Sequence, residues 1–354
     1  MASPLIAVAV PPYQVQPLIE TVFSLPASAL EGVQARCAQA YGSEIYVGCS
    51  NGELLRFALQ ADDPNKSESY TLLSRQSVPL DKPIEDILLV PSISRALVQS
   101  DSQLHFYTIP SLDPVPSNII RPIRQVVTFT VDYLHLKRPP FSGSSPVPQA
   151  VDLCVVKRNA LLLFSLREKL FYQKEIPFPL GGTLARRIGN SLCISDRTEG
   201  NYNFVNLEKA ENFPLLPLSQ ALDGDFIPEP SITVTGDDEY LICSWTGQNT
   251  LGLFINSNGD PVRGTLEWPA YPKAVCLDYP YITTLLPNDT IEIHNIDTQQ
   301  LAQIVPAPAS PSPFPERSRL ISSLSGYLVP STQRSSKMRI VPVRLLRGPE
   351  VAVS

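Results

Sequence analysis

Short runs of alternating apolar and polar residues recur along the chain, in pairs joined by a polar turn. Alternation with period two places one set of side chains on one face of a pleated strand. The first pair is Ile45-Tyr-Val-Gly-Cys49 and Glu53-Leu-Leu-Arg-Phe-Ala-Leu59, around Ser50-Asn-Gly52. Asn-Gly between two such runs predicts a tight hairpin, because both turn residues take positive φ. Further pairs begin at Arg95, Asp152, Ser191, Tyr240, Tyr281 and Gly326.

The pairs start about 40 to 57 residues apart, the length of one four-stranded propeller blade. Val33–Ala40, Ile84–Val90 and Ala274–Leu277 precede hairpins and are predicted innermost strands; Tyr70–Leu73 and Leu170–Gln173 are predicted outermost ones. A lone blade exposes apolar faces on both sides, and a ring of blades buries them. The expectation is an all-β, seven-bladed β-propeller filling residues 1–354 as a single domain. An N-terminal strand within residues 1–22, either Leu5–Val10 or Pro17–Val22, is expected to close the ring by joining the last blade beside Arg339–Arg344. Residues 137–149 and 306–316, rich in proline and serine, are expected to be protruding loops.

Composition supports this architecture. Proline, 36 of 354 residues, is about twice its ordinary frequency. Proline breaks helix interiors, so a mostly helical chain is excluded. Charged residues are 18% and hydrophobic residues 43%, which excludes a disordered chain. The net charge of −6 speaks against nucleic acid as a partner. The six cysteines are scattered in apolar runs without a C-x-x-C pair, the pattern of buried thiols in a reducing compartment. The first residues lack the basic region of a secretory signal, and no apolar run is long enough to span a bilayer. A cytoplasmic location is expected.

Candidate chemistry is sparse. His105 and His294 occupy similar strand positions in their repeats, and His135 stands apart. No tight His or Cys spacing suggests a metal, and no phosphate-binding loop or nucleophile elbow is present. Gly181-Gly182 is expected to turn the chain between blades. Asp223-Gly-Asp225 and Asp237-Asp-Glu239 have the composition of solvated turns. Trp245 and Trp268 suit packing between blades. No catalytic residue, metal or cofactor is assigned. The last repeat is locally basic, and Arg334, Lys337 and Arg339 are the candidate partner-binding residues, fitting an acidic protein or an anionic membrane.

The run Gly252-Leu-Phe-Ile255, Asn258-Gly259, Trp268-Pro269, Tyr271-Pro272, Asp278-Tyr-Pro-Tyr281 and Ile291-Glu-Ile-His-Asn295 resembles the citron homology (CNH) domain. Ile45–Leu54 and Pro214–Gln220 resemble its vacuolar-sorting and TGF-β-receptor-associated branch, which includes subunits of the CORVET and HOPS membrane tethers. The resemblance implies a non-enzymatic propeller of a CORVET-type tether, peripheral on endosomal or vacuolar membranes. It implies an endosomal Rab-family GTPase and other tether subunits as partners. The alternative it allows is a regulatory CNH domain of a signalling kinase or Rho exchange factor.

Overall fold

The computed structural model describes residues 16–19, 33–42, 44–60, 69–141, 148–221, 226–306, 321–322, 327–330 and 338–341. Antiparallel four-stranded sheets follow one another along the chain, each with sequential neighbours hydrogen-bonded. The innermost strands of the blades are Ala35–Tyr41, Ile84–Val90, Thr128–Val131, Gly182–Ile188, Ile232–Gly236 and Ala274–Asp278. The outermost are Ser69–Ser77, Ile123–Arg124, Leu170–Pro177, Glu211–Pro217, Leu266–Trp268 and Leu301–Val305. The predicted hairpins are the middle strand pairs, for example Glu44–Cys49 with Glu53–Gln60.

Six blades are built in full, so the expectation of seven is corrected. Each of the six has three strands of five residues or more. The seventh repeat yields only Tyr327–Pro330 and Met338–Val341, which pair with each other, with Ile321–Ser322 and with Gln16–Ile19. Among the described residues this strip has no strand longer than four residues. Proline weakens its pairing: Pro330 and Pro17 lie within these strands, and each lacks a ladder donor. The strip lies between the first and sixth blades, because Ile321–Ser322 neighbours both Ala35–Tyr41 and Ala274–Asp278. Of the two N-terminal candidates, Leu5–Val10 lies outside the described residues, and Gln16–Ile19 overlaps the second.

The core lies between sheets. Tyr46 and Leu54 of blade one pack with Ile84, Leu89 and Val98 of blade two. Cys154 and Leu163 of blade three pack with Ala185 and Ile194 of blade four. Leu241 and Phe254 of blade five pack with Ile282 of blade six. Adjacent strands run antiparallel, so turns alternate between two faces of the ring. The turns inside each central hairpin and the linkers from one blade to the next share one face. The remaining turns share the other.

Candidate functional site

The six innermost strands enclose a central channel of about 1590 Å³. Its wall carries an acid, Asp86 from blade two, and a base, Arg186 from blade four. Both are wetted by the channel yet enclosed by the ring. Desolvation pushes the Asp86 carboxyl above its ordinary range, and Arg186 partly pulls it back. Burial likewise lowers the Arg186 guanidinium, opposed by Asp86. They are not an ion pair at contact distance: Arg186 Nη1 donates to the carbonyl of Ala185 at 2.9 Å.

One end of the channel is crossed by a strap inserted after the innermost strand of blade three. Asp132 caps the short helix Tyr133–Leu136, its Oδ1 accepting from the Leu134 amide at 3.0 Å. The same oxygen accepts from the Gly189 amide of blade four at 3.0 Å. Lys137 stands 4.4 Å from the Tyr133 ring centroid and bonds Asp237 of blade five at 2.8 Å. The Phe141 amide donates to the Pro91 carbonyl of blade two at 3.1 Å. The strap therefore ties blades two, three, four and five together across one mouth. Residues 142–147 of the expected loop 137–149 lie outside the described residues.

At the strap's root, Asp132, His135 and Asp152 bring ligand-type atoms within 4.8 Å of one another. Their hydrogen bonds do not fit a metal. The Asp152 amide donates to His135 Nδ1 at 3.0 Å, so Nε2 carries the proton and has no lone pair to offer. Nε2 stands 3.7 Å from Asp132 Oδ2. The buried guanidinium of Arg187 donates to Asp152 Oδ2 at 3.1 Å and to the Gly189 carbonyl at 2.7 Å, supplying the positive charge already. The cluster is a latch between blades three and four.

The opposite mouth is open and aromatic. Phe226 packs edge-on to Trp245 at 5.9 Å and against Tyr271 at 5.8 Å. A hydroxyl relay fixes the linker beneath them. The Tyr202 hydroxyl donates to the Cys243 carbonyl at 2.8 Å and accepts from the Ser231 amide at 3.0 Å. Tyr271 donates to the Glu229 carbonyl at 2.7 Å. Beside this floor Ile227 is 88% exposed.

The other candidates read from sequence are dispersed. His105 and His294 are buried in their strands, and desolvation lowers both below the ordinary histidine value. His135 is lowered for the same reason. Burial pushes the Cys49, Cys154 and Cys243 thiols up to about 12, and Cys193 and Cys276 higher still. All six cysteines are free. Glu239 is gripped by Arg263 through both carboxylate oxygens at 2.9 Å, and Asp238 accepts from the Ser257 amide at 3.0 Å. Asp223 and Asp225, and Arg334 and Lys337, lie outside the described residues. Arg339 is placed by its backbone only, opposite Pro17 and Val329. Trp268 is fully buried, 6.0 Å from the His294 ring of blade six. Three features are missed by the hairpin pattern: the strap, the Asp86–Arg186 wall and the Phe226–Ile227 mouth. Asp132 directly after an apolar strand is a helix-cap signal that would have flagged the strap.

The VPS3 N-terminal domain family matches residues 31–307. The chain belongs to this family. The matched span runs from just before the first strand of blade one to just past the last strand of blade six, and leaves out the terminal strip. Vacuolar protein sorting-associated protein 3 of Saccharomyces cerevisiae is 24% identical over 277 residues, 76% of this chain and 25% of the yeast protein. Transforming growth factor-beta receptor-associated protein 1 of Homo sapiens is 24% identical over 282 residues, 78% of this chain and 30% of the human one. The chain thus spans between a quarter and a third of the length of these VPS3-family relatives. Among solved structures, the AfRom2 CNH domain aligns with a TM-score of 0.54 at 17% identity, covering 90% of this chain and 97% of that one. The Neurospora crassa Pan2 WD40 domain aligns with a TM-score of 0.59 at 10% identity, covering 93% and 95%. At these identities the likeness is one of fold: a propeller, with a CNH domain among its neighbours.

Proposed function

We propose that this propeller is a non-catalytic docking module of a vacuolar-sorting tether subunit, of the CORVET type. In this reading it binds an endosomal Rab-family GTPase and sister subunits, and works at the cytoplasmic surface of endosomes in transport to the vacuole. The observation that carries it is the VPS3-family match across all six blades, with relatives named for vacuolar sorting and receptor association. The channel supports a non-catalytic role. Asp86 and Arg186 on its wall stand apart, and among the described residues the buried thiols and neutral histidines form no nucleophile–base pair. The alternative, a regulatory domain of a kinase or exchange factor, has only the CNH structural likeness behind it.

The test is a pull-down of the chain against a panel of Rab-family GTPases, each loaded with GDP or a GTP analogue. Nucleotide-dependent capture of one endosomal GTPase is expected. Reversing charge at Arg334, Lys337 and Arg339 is expected to weaken capture without lowering the thermal midpoint. Equal recovery of all GTPases in both nucleotide states refutes the GTPase reading, and unchanged capture removes the basic residues from it.

A further inference from the structure

The face that carries the open mouth also carries large apolar side chains held out in solvent. Leu80, in the linker between blades one and two, is 75% exposed. Ile227, in the linker between blades four and five, is 88% exposed, and Phe226 beside it is 50% exposed. These two linkers stand three blades apart, on opposite sides of the mouth. A partner that covers both at once is broad and flat.

Three cations stand on the rim between them, beside the exposed acids Asp101 and Glu199. Lys157 and Arg158 lie in the central hairpin turn of blade three, and Arg197 in that of blade four. The two arginines flank Gly181: the Arg197 amide donates to the Gly181 carbonyl at 2.9 Å, and a Cβ on Gly181 would lie 2.8 Å from the Arg158 carbonyl and 3.7 Å from Arg197 Cβ. Neither side chain has an ion-pair or hydrogen-bond partner among the described residues, and both are exposed. Asp196, which precedes Arg197, is buried and accepts from the Glu199, Gly200 and Asn201 amides and from Asn203, while Glu199 in the same turn is exposed and engaged by Asn201 at 3.0 Å. Unpaired arginines between two apolar tips on one plane are the pattern of a surface that rests on anionic lipid: the tips enter the acyl boundary and the cations meet the headgroups.

We propose that this face is a membrane-docking surface, with Leu80, Phe226 and Ile227 as inserting tips and Lys157, Arg158 and Arg197 as the headgroup-binding rim. The partner is a bilayer containing anionic phospholipid. The net charge of −6 would repel such a bilayer from the molecule as a whole, so attraction has to come from a local cluster of cations. The inference stands apart from the GTPase reading, because lipid vesicles contain no protein.

The experiment is flotation of the whole chain with vesicles of phosphatidylcholine containing about 30% phosphatidylserine, beside vesicles of phosphatidylcholine alone. Binding is expected to the anionic vesicles only, and to fall at about 0.5 M salt. A cation near an anionic surface contributes about fivefold, so Arg158→Glu with Arg197→Glu is expected to lower partitioning at least about 25-fold. Leu80→Ser with Ile227→Ser is expected to lower it about tenfold or more. Arg167→Glu with Lys169→Glu, an equal charge change at exposed positions on the strap face, is expected to leave it unchanged. Each variant's thermal midpoint is measured alongside. The proposal is overturned by absence of flotation, by equal binding to neutral vesicles, or by equal loss from the strap-face pair. It is also overturned if reversing Arg334, Lys337 and Arg339 abolishes binding while the Arg158 and Arg197 pair does not.

Discussion

Gly252→Ala tests the packing at the centre of the CNH-like motif. Gly252 lies in Thr250–Ile255, opposite Leu266 in the outermost strand of blade five. A Cβ there would sit 2.5 Å from Trp268 Cζ3, 2.6 Å from Cη2 and 3.2 Å from Leu241 Cδ1. Carbon atoms prefer about 3.5 to 4.0 Å, so roughly an ångström of overlap must be relieved. The indole cannot swing out, because Trp268 is fully buried among Tyr271, Ile282, Leu286 and Ile296. Overpacking of this kind costs about 1–3 kcal/mol. At about 2–4 °C per kcal/mol for a large domain, the midpoint is expected to fall roughly 2 to 12 °C by calorimetry or circular dichroism. Trp268→Phe provides the control. Trp268 Nε1 has no hydrogen-bond partner among the described residues, so the change removes ring volume without breaking a bond seen there. The double variant is expected to be more stable than the sum of the single changes predicts, by a coupling of about 0.5–3 kcal/mol. An unchanged midpoint for Gly252→Ala, or strict additivity in the cycle, refutes the steric account.

Two further outcomes follow from buried polar groups. Tyr202→Phe removes the hydroxyl that satisfies the Ser231 amide and the Cys243 carbonyl. A cost of about 1–3 kcal/mol is expected, with faster hydrogen exchange at Ser231; unchanged exchange there rules out the relay. The thermal midpoint is expected to fall as pH drops below 6.5. His105, His135 and His294 have folded pKa values lowered from 6.5 by burial, so the unfolded chain binds more protons in that window and acid favours unfolding. Asp86 and Glu292, raised from 3.8 and 4.5, act with the opposite sign, so the histidine slope is clearest above about pH 5. A midpoint that rises between pH 7 and 6 refutes this assignment.

Strand pairing was the legible part of the fold. Period-two alternation and the Asn51-Gly52 turn locate the central hairpins, because register and burial of a strand are written locally. Blade count was less legible. Tyr327–Pro330 and Met338–Val341 have the alternation of the other hairpins, but Pro330 and Pro17 remove ladder donors from this sheet, and alternation does not report strand length. The site was least legible of all. Asp86 and Arg186 are 100 residues apart in sequence and face one channel only through ring closure. The strap's anchors, Pro91, Gly189 and Asp237, come from three other blades. Ile227 carries no local sign of exposure, since an apolar residue in a linker is as compatible with a core position.

The two faces of the ring are unequal, and this bears on how the molecule can engage partners. On the strap face, polar side chains are largely spent within the protein: Lys137 on Asp237, Arg187 on Asp152, and Arg263 on Glu239 and Asp297. The Lys137–Asp237, Arg187–Asp152 and Arg263–Asp297 contacts join blades, so substitutions at them are expected to loosen the ring itself. On the open face, the Arg158 and Arg197 side chains have no partner among the described residues, and Ile227 and Leu80 are mostly exposed. Substitutions there remove surface without removing structure. A loss of partner or lipid binding with an unshifted thermal midpoint is therefore interpretable on the open face. On the strap face the same loss would first have to be separated from damage to the fold.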